Sequence, residues 1–193
     1  MLEDISPLRD LPLTRLGLPE SVSDYSAIAS LSQLTSLTVH GWHFSDLNIV
    51  AKLPLAHPSF EKAAIDDLSP IASMSKLRFL AIPNTPVSDL SPISKLPLQT
   101  LWMHGSKVTD LSPLADMPLK DVNCYSTKVT DISVLAGKPL DRVHMAWAPV
   151  ADLTPLLETP VKHLVIHPDK ERSAESAKVI ETLVARGCRV EYW

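Results

Sequence analysis

The chain has 193 residues, a formal charge of −4, 45% hydrophobic residues and 21% charged ones. Those fractions fit one ordinary globular domain, and the acidic balance excludes a strongly basic nucleic-acid surface. No apolar run reaches the roughly 18 residues that a membrane helix needs, so no membrane insertion is expected. Cys124 and Cys188 cannot make a disulfide framework.

The first segment, MLEDISPLRDLPL, lacks a basic n-region and an apolar h-region. Together with two unpaired cysteines this favours the cytoplasm. Met1 falls in the middle of a repeating unit, three residues before an Asp-Ile-Ser-Pro-Leu string. The expectation is therefore a piece of a longer solenoid, with an abrupt natural first turn as the alternative.

That string recurs. Asp4, Asp67, Asp89, Asp110 and Asp152 each open a D-[LI]-[ST]-P-[LI] segment, and degenerate copies begin at Asp24, Asp46 and Asp131. Successive aspartates lie 20 to 22 residues apart. A fixed period of this length marks a stacked repeat architecture. Within each period, apolar residues two apart, such as Leu101 and Met103, predict a short strand with one face inward. The segment Leu90-Ser91-Pro92-Ile93 with Leu96 has apolar spacings of three, the signature of 3-10 geometry. Ser91 reads as an N-cap and Pro92 as the residue favoured at the first turn position.

Along the chain, Arg15-Leu16-Gly17-Leu18 is one residue short. In the third copy Pro58 stands where a strand leucine belongs and predicts a broken or weakly paired strand. After Pro168 the pattern changes. Ser173 is a fair N-cap, Ala177, Ile180, Leu183 and Val184 share one predicted helical face, and Gly187 is a fair stop. Residues 188–193 alternate like a final strand, with Cys188 half-buried. The division expected is a solenoid of about eight repeats over 1–167 and a helix-plus-strand cap over 168–193.

The repeat Leu98-x-x-Leu101-x-Met103-x-x-Ser106-x-Val108 follows the pattern L-x-x-L-x-L-x-x-N-x-L, with Ser in place of Asn. Its D-[LI]-[ST]-P-L segment resembles the internalin-like bacterial subclass of leucine-rich repeat proteins. It is also similar to repeats in bacterial receptor-like and kinase-linked proteins. The resemblance implies an α/β leucine-rich repeat solenoid. This is a right-handed superhelix with a parallel concave sheet of about seven or eight short strands and 3-10 turns on the convex side. The family Asn is replaced by Thr85, Ser106, Thr127 and Ala148. Hydroxyls must then satisfy the turn backbone, more weakly.

With the core occupied by inward residues, function is expected on outward strand positions. Those include Ala81, Ala146 and Val165 beside larger groups. Phe79, Trp102, His104, Asn123, Tyr125, Arg142 and His144 form the candidate patch, with Trp147 at its rim. Trp, Tyr and Arg are the types enriched at binding hot spots, and an exposed apolar cluster with a polar rim marks an interaction surface. The aspartate column reads as turn chemistry. The seven histidines show no metal-ligand spacing, so no metal site and no cofactor are expected. Cys124 reads as a core residue. Lys170, Arg172, Arg186 and Arg189 read as a solvated basic cluster. The reading is a non-catalytic, monomeric module that binds a protein on its concave face. The alternatives are a structural or regulatory segment of a longer receptor- or kinase-like protein, or a carbohydrate-binding repeat domain.

Overall fold

The computed structural model describes residues 3–168 and 173–193. Lys170 and Arg172 of the expected basic cluster lie outside them. Strands β1 (Arg15–Leu18), β2 (Ser36–His40), β3 (His57–Glu61), β4 (Phe79–Ala81) and β5 (Thr100–Trp102) come from successive coils. They are followed by β6 (Asp121–Asn123), β7 (Arg142–His144), β8 (His163–Ile166), helix α1 (Ala174–Ala185) and β9 (Arg189–Tyr192). All nine strands join one parallel sheet in chain order. At about 4.8 Å per strand the sheet is roughly 38 Å long.

Burial follows the repeat. The inward residues Leu37, Leu80, Leu101, Val122, Val143 and Leu164 stack in one column, and Val39, Phe60, Ile82, Met103, Cys124 and Met145 in the next. All are buried. A single coil has nowhere to hide these side chains except against its neighbours, so stability is shared along the stack.

Strands β2 to β7 each leave the sheet at a left-handed residue: Gly41, Lys62, Asn84, Gly105, Ser126 and Trp147 in turn. Beyond it the hydroxyls that replace asparagine turn inward. Thr85 Oγ1 donates to the Ile82 carbonyl at 2.8 Å and Thr127 Oγ1 to the Cys124 carbonyl at 2.7 Å. Thr85, Ser106 and Thr127 are buried.

The next feature is the aspartate turn. In all eight copies the carboxylate accepts the backbone N–H two residues on, from Ser6 on Asp4 at 2.8 Å to Thr154 on Asp152 at 2.8 Å. This bond and a second one from the hydroxyl of the same Ser or Thr hold Asp4, Asp24, Asp110, Asp131 and Asp152 below the usual carboxylate range, and at Asp67 and Asp89 the serine hydroxyl is the larger cause. This corrects the capping role expected of serine. Ser91 is the first residue of the turn Ser91–Ile93 and caps nothing with its side chain. Its N–H is instead what Asp89 satisfies.

Pro58 does not break its strand. β3 pairs with β2 over five residues, from Ser36↔His57 to His40↔Glu61, but with β4 only at Ser59↔Ala81. The asymmetry follows from which way N–H groups point. Inward residues donate forward, as Ile82 does to Trp102, Met103 to Asn123 and Cys124 to His144. Pro58 holds an inward position and has no donor, so only its forward ladder is lost.

Ser173 caps α1, accepting the Ser176 N–H at 3.1 Å, and Gly187 takes a positive φ of 88°. The buried stripe is Ser176, Val179 and Leu183 with Ile180 partly covered; Ala177 and Val184 are exposed. The helix is rotated by one position from the predicted face because Ser176 donates its hydroxyl to the Ala151 carbonyl at 2.6 Å. Arg186 is engaged as well, donating to the Leu157 carbonyl at 2.7 Å. Cys188 is buried, at 5% exposure, not half-buried. Among the described residues no helix is long and apolar enough to cross a membrane.

Candidate interaction surface on the concave sheet

Two outward rows cross the sheet between β4 and β9. Parallel register aligns Phe79, Thr100, Asp121, Arg142, His163 and Arg189 in one row. It aligns Ala81, Trp102, Asn123, His144, Val165 and Glu191 in the other. Beyond them, where the strands end, come His104, Tyr125 and Trp193.

Side chains from neighbouring coils meet along these rows. The Phe79 and Trp102 rings meet edge to face with centroids 5.1 Å apart. Trp102 Nε1 donates to Asp121 Oδ1 at 3.1 Å, and Arg142 Nη1 lies 3.5 Å from Asp121 Oδ2. One carboxylate thus fixes both the indole and the guanidinium. Asn123 Oδ1 accepts the Tyr125 N–H at 3.0 Å. The Tyr125 ring lies 5.1 Å from His144 and 6.4 Å from His104.

Burial pushes His144 below the ordinary imidazole range, and His104 and His163 push it further; burial alone lowers His104. His144 Nε2 and His104 Nδ1 are buried without hydrogen-bond partners. Both rings therefore favour the uncharged form and behave as part of the aromatic surface.

Trp193 is the residue that sequence reasoning left out. β9 runs parallel to β8, so Arg189, Glu191 and Trp193 alternate onto the concave side while Cys188 goes inward. The indole lies 6.1 Å from Tyr125 and 5.7 Å from His144. It closes a hollow of about 230 Å³ whose opposite wall is Trp102, with Asn123, Arg142 and His163 between. The alternation of residues 188–193 was visible in the sequence and carried this placement.

Trp147 stands apart from the patch. Its ring centroid lies 4.0 Å from that of His167, and it is 57% exposed. Three outward positions are covered rather than exposed: Ala81, Ala146 and Val165 are all buried. Small side chains between large ones fall below the accessible surface.

Comparison with known proteins agrees with this geometry. An internalin, InlF, of Listeria monocytogenes superposes with a TM-score of 0.84 at 25% identity, over 97% of this chain and 57% of its own. Internalin C2 of the same organism has a TM-score of 0.62 at 32% identity, over 69% of this chain and 62% of its own. A leucine-rich repeat protein of Leptospira interrogans shares the fold, with a TM-score of 0.63 at 17% identity over 86% of this chain and 45% of its own. No protein-family model and no curated protein sequence matches. The coils, their register and these neighbours define a leucine-rich repeat solenoid. The chain is an internalin-like leucine-rich repeat protein, and it spans less than two thirds of the length of these neighbours.

Proposed function

We propose that the concave sheet between β4 and β9 is the recognition surface of a non-catalytic module that binds a protein partner. One observation carries this reading: the rings of Phe79 and Trp102, and of Tyr125, His144 and Trp193, are neighbours across coils, with one carboxylate, Asp121, holding Trp102 and Arg142 in place. Pre-fixed aromatic and guanidinium groups lose little freedom on binding, which is what makes such residues dominate interfaces. Cys124 is no nucleophile, since burial drives its thiol up to about 12.

The test is retention of a partner by three immobilised forms of the chain. The wild type and a convex-face control, Lys95→Ala, retain it. The double variant Trp102→Ala/Tyr125→Ala loses it, and the purified partner then shows at least a roughly hundredfold rise in Kd, as expected when two hot-spot aromatics are removed. Equal retention by all three forms refutes the surface.

Carbohydrate is the second reading. It is favoured by the hollow between Trp102 and Trp193, where Asp121, Asn123 and Glu191 offer acceptors beside indole faces. It predicts quenching of tryptophan emission by a glycan, and silence across a glycan panel removes it.

A further inference from the structure

The N-terminal half of the sheet is chemically unlike the aromatic half. Parallel register puts Arg15, Ser36 and His57 in one row and Gly17, Thr38 and Ser59 in the next. Ser36, Gly17, Thr38 and Ser59 are small, and Arg15, His57 and, on β4, the Phe79 ring stand around them as walls. A Cβ placed on Gly17 would meet nothing within 4 Å. The outcome is an open hollow of about 580 Å³, larger than the one beside Trp193.

What lines this hollow is a set of uncommitted donors. Among the described residues, Arg15 has no ion pair and no side-chain hydrogen bond, in contrast to Arg142 on Asp121 and Arg189 on Glu191. The hydroxyls of Ser36, Thr38 and Ser59 and the imidazole of His57 have no hydrogen-bond partners either. Thr35 also lines the hollow but is committed, its Oγ1 donating to the Thr14 carbonyl at 3.1 Å. No carboxylate lines the hollow. The acid of the adjacent row, Glu61, is held by His40 Nδ1 at 3.1 Å. An unpaired guanidinium with three hydroxyls and an imidazole, all on strands, offers several donors with no carboxylate beside them to occupy them. Guanidinium forks and hydroxyls match the oxygens of an oxyanion.

Donors come from three adjacent strands, and a planar carboxylate presents only two oxygens to them. A tetrahedral oxyanion presents three, in directions that reach different strands. The volume leaves room for more than the anion, and Phe79, with its ring centroid 6.4 Å from that of His57, gives an apolar wall for the group that carries it. We propose that this hollow binds the tetrahedral oxyanion of a phosphate or sulfate monoester, with Arg15 as the charged anchor and the ester's organic part against Phe79. This site is separate from the aromatic patch, with which it shares only Phe79, and it stands or falls independently of the partner reading.

The test uses the whole chain, isotopically labelled, titrated with phenyl phosphate, phenyl sulfate, inorganic phosphate and benzoate while amide resonances are followed. Saturable shifts confined to β1–β4 are expected for a phenyl ester, with Kd on the order of 1 mM and a strong dependence on salt. Inorganic phosphate binds more weakly because it lacks the ring, and the phosphate-to-sulfate ratio identifies the source of the oxyanion. Arg15→Ala and Ser59→Asp each weaken binding by about tenfold or more. Both replace exposed or half-exposed side chains and leave the core untouched. Lys95→Ala, on the exposed convex face and remote from the hollow, leaves the titration unchanged. Absence of saturable shifts with both esters, shifts indifferent to Arg15→Ala and Ser59→Asp, or benzoate binding as tightly as phenyl phosphate overturns the proposal.

Discussion

Replacing Pro58 by leucine should stabilise the protein. Pro58 is buried in the column that Leu37 and Leu80 continue on either side, so leucine is that column's own residue. The substitution restores an N–H aimed at β4, where pairing shrinks to Ser59↔Ala81. A regained ladder bond contributes about 0.5–1.5 kcal/mol, and the added methyl-sized group about 0.8 kcal/mol. Losing proline's restraint on the unfolded chain costs about 0.4–1 kcal/mol. The balance is a gain of about 1 kcal/mol, worth about 0.5 M in the urea midpoint at an ordinary slope. Urea unfolding by circular dichroism measures the midpoint, and amide exchange over residues 57–61 and 79–83 reports the new ladder. An unchanged or lower midpoint at unchanged slope, with exchange unaltered across β3 and β4, refutes the account of the missing donor.

Other outcomes follow from the same geometry. Leu101→Ala, at a fully buried position between Leu80 and Val122, should cost about 2–5 kcal/mol in thermal or urea unfolding, since its coil cannot collapse without moving both neighbours. Lys138 stands in the convex column of Met74, Leu96 and Met117, and its Nζ donates to the Ala115 and Met117 carbonyls at 2.7 and 3.0 Å. Lys138→Met should leave stability within about 1 kcal/mol, because apolar contact replaces a desolvated charge. His104 and His144 are held below 6.5, so the unfolded chain binds more protons than the native one once pH drops. Their contribution is complete above pH 6.5 and declines as pH falls toward the folded values; a midpoint flat from about pH 8 to about pH 5 contradicts this. The turn aspartates act in a lower window, stabilising above 3.8 and losing their contribution as pH falls through their depressed values. Cys124 and Cys188 are both buried with raised thiol pKa, so an aromatic disulfide reagent should leave both unmodified in the native protein and titrate both after unfolding.

Much of the surface could be placed from spacing alone because alternation in a parallel sheet has only two outcomes. Phe79, Trp102, Asn123, Arg142 and His144 all occupy outward positions in register, and His104 and Tyr125 continue the series just beyond the strands. Spacing could not give depth. Ala81, Ala146 and Val165 obey the same alternation and are nevertheless covered, because exposure depends on the size of neighbours one coil away. Spacing also could not distinguish Trp147, which leaves the sheet at a left-handed residue and pairs with His167, from Trp193, which completes the aromatic cluster.

The period of the coils, the aspartate turns and the identity of the inward side chains were written in the sequence by itself. Each rests on interactions within one period, an Asp carboxylate with an N–H two residues away or an apolar residue two positions from the next. Which side of Pro58 loses its ladder, which stripe of α1 is buried, and where an open donor-lined hollow remains were decided only by the stack. Those properties belong to contacts between residues some 21 positions apart, and a chain shows them only when its coils lie against one another.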